Sequence, residues 1–288
     1  MPGFKPSAYV SKRKVAAASA AALVLLTPLL LLMFLESTFI FFPSPDILDS
    51  PADYGLAFED VARTTSDGVR VHGWLMKPET EPVAWLLFSH GNAGNISGRP
   101  AIARPLVQRR IAVLLYDYRG YGRSEGSPNE QGTYRDGEAM LDEVLARASS
   151  PRHVFLFGRS LGGGVSHELA VRHPELGGLI TDATFTSMPE MARLVFPIPG
   201  VWRLVRNRYE NLAKAPHIKI PRLVMHGTHD EMIPFSMAER LRDATDPPAR
   251  FHAIPGAGHN DTYAVGGSEY ADVIRRFIDE CRQGPGPG

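Results

Sequence analysis

Short, predominantly apolar runs recur along the chain at Trp85–Ser89, Ile111–Tyr116, Val154–Phe157, Leu179–Thr181, Leu223–Met225 and Phe251–Ile254, and several are separated by stretches with helical periodicity. Runs of this length suit strands buried on both faces. The helical patterns cover Glu130–Ala148, Leu161–Arg172, Phe235–Asp243 and Ser268–Cys281. Strands alternating with helices of that length require a mainly parallel sheet with helices on both sides. Upstream, two alternating segments, Ala57–Thr64 and Val69–Leu75, flank Thr65-Ser66-Asp67-Gly68 and predict an antiparallel hairpin at one end of the sheet. A first helix near Pro105 is expected to begin at that proline, because Pro100 and Pro105 limit a regular helix before Gln108.

With 288 residues the chain is long enough for one large domain. Thirty-one basic residues balance 31 acidic ones. No overall field draws such a protein to a polyanion, so nucleic acid is not an expected partner. The single cysteine, Cys281, has no mate for a disulfide and no thiolate neighbours for a metal cluster. A small residue on the last helix is its expected role.

The amino-terminal end carries a second strong pattern. Lys5, Lys12, Arg13 and Lys14 precede an apolar run from Val15 to Leu35 that is broken only by Ser19, Thr27 and Pro28. Such a run is long enough to cross a bilayer as a helix. Basic residues before it and Glu36, Asp46, Asp49 and Asp53 after it favour a cytoplasmic amino terminus and an extracytoplasmic domain. The competing expectation is a cleaved signal peptide, whose apolar region is usually shorter and ends in small residues. Here Glu36-Ser37-Thr38 leads into Phe39-Ile40-Phe41-Phe42, which favours retention. These aromatics suit either the membrane interface or packing under the domain. The organisation expected is a basic segment at 1–14, a membrane anchor at 15–42, an α/β domain at 43–281 with a lid at about 184–221, and a flexible tail at 282–288.

Gly158-Arg159-Ser160-Leu161-Gly162 stands directly between an apolar run and a helical pattern, the context of a nucleophile elbow. The sharp strand-to-helix turn lifts a serine hydroxyl above the sheet, and the flanking glycines remove the Cβ atoms that would block it. Serine needs a base and an orienting acid. Asp230 follows the run Leu223–Met225, and His259 lies in the Gly-rich loop after Phe251–Ile254. Both loops open on the carboxyl edge of the sheet, where distant residues can meet. Glu231 neighbours Asp230 but points elsewhere if successive loop side chains diverge, and Asp182, at another strand end, is an alternative acid. An oxyanion needs two backbone N–H donors. Leu161 is the expected first donor, and Asn92, in the loop His90-Gly91-Asn92-Ala93-Gly94-Asn95, the second, with Ala93 as its alternative. His90, His226 and His229 form no recognised zinc motif, and structural hydrogen bonding is expected of them instead of metal binding. Between Thr184 and Pro221, Met188, Met191, Phe196 and Trp202 are interleaved with Arg193, Arg203, Arg206 and Arg208, a pattern that fits a short helical lid with an apolar inner and a solvated outer face.

The loop at His90–Asn95, the stretch Tyr116-Asp117-Tyr118-Arg119-Gly120-Tyr121-Gly122-Arg123-Ser124, the Ser160 elbow and the Asp230 and His259 loops together resemble the ABHD-type membrane-anchored serine hydrolases. The resemblance runs from about Pro43 to Cys281. It implies the α/β-hydrolase fold, a Ser160–His259–Asp230 triad without cofactor or metal, and hydrolysis of an ester, a thioester or an amide. It also implies that Asp117–Ser124 is scaffold. Relatives in that family include depalmitoylases with a cysteine-rich amino-terminal segment, which a hydrophobic helix replaces here. An apolar lid beside a membrane anchor points to a lipid or long-chain acyl substrate. Two other outcomes stay open: an amidase or aminopeptidase, and an inactive hydrolase-fold protein that binds or scaffolds at the membrane.

Overall fold

The structure is a computed structural model that describes residues 15–17, 19, 27, 36–196, 198–245 and 247–283. The basic segment 1–14, most of the expected membrane anchor and most of the tail lie outside the described residues. Among the described residues no helix is long and apolar enough to cross a membrane.

The strands are β1 Phe42–Pro43, β2 Phe58–Thr64, β3 Arg70–Met76, β4 Ala84–Ser89, β5 Ala93–Gly94, β6 Ile111–Tyr116, β7 Val154–Arg159, β8 Gly178–Asp182, β9 Arg222–Gly227 and β10 Arg250–Ile254. The helices are α1 Pro100–Gln108, α2 Glu130–Arg147, α3 Leu161–Arg172, α4 Met188–Val195, α5 Asn211–Lys214, α6 Phe235–Arg242 and α7 Thr262–Gln283. Eight strands form one sheet in the order β10-β9-β8-β7-β4-β6-β3-β2. From β6 to β10 the pairings are parallel, whereas β2 and β3 pair antiparallel and β3 joins β6 antiparallel. The predicted hairpin is therefore one end of the sheet.

The central strands are apolar throughout because both faces are covered. Alternate residues serve opposite cores: Leu87, Leu114 and Leu156 pack on one side with α2 and α3, and Leu86, Phe88, Val113, Phe155 and Phe157 on the other with α1 and α7. Each such side chain contributes about 1.5–3 kcal/mol of burial, so the paired layers are the main support of the sheet. Cys281 packs against the second core, where burial pushes its thiol up to about 11.

The first helix differs from expectation. It starts at Pro100, and Pro105 lies inside it. Pro105 has no N–H to offer the Ala101 carbonyl, but Ile102, Ala103, Leu106 and Val107 gain full burial against the sheet. That packing outweighs the lost bond. Helix α7 begins at Thr262, earlier than the pattern predicted, with a break at Gly267, where φ is 54°.

Residues 36–42 also depart from their expected place in the anchor. Residues 36–40 are helical, Ile40 and Phe41 enter the first core, and β1 pairs with β5 beside the Asn92 loop. Of the apolar side chains that suit a bilayer, Ile40 and Phe41 are buried by the domain, whereas Phe39 and Phe42 stay about half exposed.

Candidate active site

Register places the carboxyl ends of the parallel strands level with one another: Ser89 opposite Gly158, Arg159 opposite Asp182, and Gly227 opposite Ile254. The loops after β4, β7, β9 and β10 therefore open on one edge. Ser160 occupies the turn between β7 and α3 with φ 51° and ψ −117°, a left-handed conformation rarely adopted by a residue with a Cβ. Its N–H donates to the Asp182 carbonyl at 2.9 Å, and its carbonyl accepts from the Thr184 hydroxyl at 2.8 Å. A methyl group at Gly162 would overlap the Ser89 carbonyl. Helix α3 can approach β4 closely only because that position is glycine.

The distant residues meet. His259 Nε2 lies 3.0 Å from Ser160 Oγ, and His259 Nδ1 lies 2.8 Å from Asp230 Oδ2. An ionised carboxylate only accepts, so Nδ1 carries the proton and Nε2 accepts from the serine hydroxyl. Asp230 is held in turn by the N–H groups of Met232 and Ile233, which donate to Oδ1 at 2.9 and 2.8 Å. Burial opposes its charge, but hydrogen bonds from His226, His259 and Ile233 outweigh it and hold the carboxyl well below the usual range.

The competing acids go elsewhere. Asp182 Oδ2 accepts from the hydroxyls of Thr262 and Tyr270, at 2.7 and 3.0 Å, and faces Arg159 Nε at 3.4 Å. It makes no bond to the His259 ring. Glu231 accepts the His259 backbone N–H at 3.3 Å. Of the three histidines considered for metal, His90 Nδ1 donates to the Gly91 carbonyl, 2.6 Å away, and His226 Nε2 donates to the Ile233 carbonyl at 2.9 Å. His229 is exposed. No group of three or more His, Cys, Asp or Glu side chains among the described residues is arranged to hold a metal ion.

Asn92 and Leu161 line the same cavity as Ser160 and His259. Neither backbone N–H has an acceptor among the described residues. Asn92 is fixed from three sides: its carbonyl accepts from Phe42 N–H at 3.0 Å and Tyr121 Oη at 2.7 Å, and its side-chain amide donates to the Ile40 carbonyl at 3.0 Å. Ala93 does not line the cavity. The Asp117–Ser124 stretch acts as support, as expected, since Asp117 Oδ1 also accepts the Ile96 N–H at 2.8 Å. Burial pushes Asp117 up to about 7 and His90 down to about 3, so neither holds a firm charge beneath the loop.

Sequence reasoning missed three contributors. Arg159 Nη2 donates to the His259 carbonyl at 2.6 Å, and His226 Nε2 lies 3.2 Å from Asp230 Oδ2. Residues 36–42 supply Glu36, Phe39, Ile40 and Phe42 to the cavity wall. A histidine four residues before the candidate acid was a visible signal for the second. Nothing in the spacing marks the first and third.

The cavity has a volume of about 270 Å³. The segment predicted as a lid covers it with α4 and the short helical turn Val201–Leu204, through Met188, Met191, Val195, Phe196 and Val201. Trp202 is not part of the lining; it lies under the Arg193 guanidinium, 5.0 Å from the ring centre. Arg193, Arg203, Arg206 and Arg208 are all exposed.

Comparison with known proteins agrees with this architecture. The family described as "Serine aminopeptidase, S33" matches residues 80–209. An uncharacterised Mycobacterium tuberculosis protein is 35% identical over 244 residues, covering 84% of this chain and 86% of that one. The Arabidopsis thaliana "Alpha/beta hydrolase domain-containing protein WAV2" is 34% identical, covering 80% and 82%, and Schizosaccharomyces pombe "Protein bem46" is 31% identical, covering 82% of each. Among solved structures, the Pyrococcus furiosus esterase Pf2001 superimposes with a TM-score of 0.68 at 20% identity, over 83% of this chain and 98% of that one. The chain belongs to the α/β-hydrolase family.

Proposed function

We propose that the protein is a serine hydrolase that cleaves a carboxylic ester or thioester of a long-chain acyl group through an acyl-enzyme. Ser160 Oγ attacks the carbonyl carbon while His259 Nε2 takes its proton. Asp230 holds the imidazolium that forms. The oxyanion is stabilised by the N–H groups of Asn92 and Leu161, each worth about 10²–10³ in turnover. His259 then gives its proton to the leaving oxygen or sulfur as the carbonyl bond to it breaks. Water repeats the sequence on the acyl-enzyme and frees the acid and Ser160. The chemistry needs no cofactor. We place the protein at a membrane, held by one helix within 15–35, with its catalytic domain on the extracytoplasmic side.

The observation that carries this reading is the unbroken hydrogen-bonded series Ser160–His259–Asp230 at the floor of an apolar cavity. An aminoacyl-amide substrate needs a carboxylate free to receive its ammonium group. The acidic residue in the described lining is Glu36, whose Oε1 already accepts the N–H groups of Arg206 and Asn207 at 2.8 Å each. The rest of the described lining is largely apolar, which fits an ester or thioester of an acyl chain better than an aminoacyl ammonium. Fluorophosphonate labelling of the solubilised protein, abolished in Ser160→Ala, is the expected result. A folded protein that does not label would favour a binding or scaffolding role. Turnover of p-nitrophenyl esters should rise with acyl length, and a strict preference for acetyl would refute the long-chain assignment.

A further inference from the structure

Exposed apolar side chains are not scattered over this molecule. Ten large ones are exposed among the described residues, and six of them, Phe39, Phe42, Leu194, Val195, Ile198 and Met232, belong to the cavity lining or to the lid segment beside it, each 50–62% exposed. Phe39, Phe42, Val195 and Met232 line the cavity itself, while Leu194 and Ile198 adjoin lining residues of the lid. A soluble monomer rarely keeps so concentrated an apolar patch without a partner. Basic residues border it: Arg193, Arg203 and Arg206 are exposed on the same lid segment, and Arg203 and Arg206 form no ion pair among the described residues.

The chain's connectivity says what covers this patch. The apolar sequence 15–35 ends immediately before Glu36. Glu36 is tied to the lid through the Arg206 and Asn207 N–H groups, and Phe39 packs edge-on against Phe196 at 6.0 Å between ring centres. Any bilayer that takes up the apolar sequence is thus brought to the rim of the cavity, not to a remote face. An apolar rim bordered by arginines matches an acyl boundary beneath anionic headgroups.

We propose that this rim docks on a phospholipid bilayer, and that acyl chains pass directly from the bilayer into the cavity between residues 39–42 and the lid. The second part rests on the hydrolase reading. Docking itself does not.

The test uses the full chain with Cys281→Ala, reconstituted into phosphatidylcholine/phosphatidylglycerol vesicles that contain doxyl-labelled lipid. Single cysteines replacing Leu194 or Ile198 carry an environment-sensitive fluorophore, and Leu48→Cys, which is 87% exposed and outside the cavity, serves as control. Quenching at 194 and 198 but not at 48 is expected. No quenching at the lid positions, or failure of the chain to associate with the vesicles, overturns the proposal. So does burial of the lid probes without lipid quenching and with a doubled particle mass, which would give the face to a second copy. In parallel, Leu194→Asp/Ile198→Asp should lower hydrolysis of vesicle-borne esters about tenfold while leaving a short soluble ester unaffected. Equal loss on both substrates overturns bilayer entry. If the parent hydrolyses neither ester yet quenching persists, the hydrolase reading fails and docking stands.

Discussion

Ser160 sits in a backbone conformation that costs about 1–3 kcal/mol and persists only where the surroundings enforce it. Here the Asp182 carbonyl, the Thr184 hydroxyl and the close approach of α3 to β4 supply that enforcement. The candidate orienting acid is decided equally locally. Asp230→Asn should keep the fold but lower kcat by about 10⁴, because the amide no longer selects the Nδ1–H tautomer. Asp182→Asn should act the other way: it weakens the bonds to Thr262 and Tyr270, costs about 1–3 kcal/mol in a denaturant melt, and spares most of the turnover. Steady-state kinetics beside a melt of each variant checks both. If Asp182→Asn alone removes turnover in a fully stable protein, the acid has been assigned to the wrong strand.

At the scale of elements, α3 links Ser160 to the core. Gly162→Ala should destabilise by about 3 kcal/mol or more, since its methyl meets the Ser89 backbone and not a flexible side chain. Thermal unfolding will show this as a large fall in Tm. The other end of α3 carries a pH-sensitive contact. His173, its carboxyl-terminal cap, lies 2.7 Å from Glu138 and 3.0 Å from Glu175, and the Glu138 hydrogen bond is the main reason its pKa rises to about 8. A raised histidine stabilises fully below its unfolded value near 6.5 and loses that stabilisation as pH climbs through 8. The His173 side chain is 21% exposed, so solvent screening reduces the contribution to about 1 kcal/mol. Urea melts should accordingly show His173→Gln to be destabilising at pH 6 and neutral at pH 9.

At the scale of the whole molecule, the lid segment is tied over the cavity by contacts to the amino-terminal edge of the domain and to α2. Glu36, at the amino-terminal edge, accepts two lid N–H groups. Glu130 on α2 accepts two more, from Arg208 and Tyr209, the latter at 2.9 Å. Glu36→Ala should raise amide exchange at Arg206 and Asn207 by about tenfold or more, while exchange within β4 and β7 stays unchanged. Hydrogen exchange resolved by peptide or by residue measures it. Unaltered exchange at 206 and 207 would mean that the lid is fixed by its apolar contacts alone.

Local rules in the sequence determined the order of elements, the hairpin at the sheet end, the elbow around Ser160, and the loops that carry Asp230 and His259. Apolar runs, 3.6-residue periodicity and glycine turns are short-range properties, and those elements were legible for that reason. Tertiary structure alone decided the rest. The contact of Ser160 with His259 spans 99 positions and depends on parallel strands ending at one level. Pro105 inside α1 shows packing overriding a helix-breaking preference. Arg159 reaching the His259 carbonyl, and residues 36–42 turning into the cavity wall, left no periodic trace. An apolar side chain records only that it avoids water, and whether a bilayer or a protein core provides the shelter depends on the surfaces that folding brings beside it.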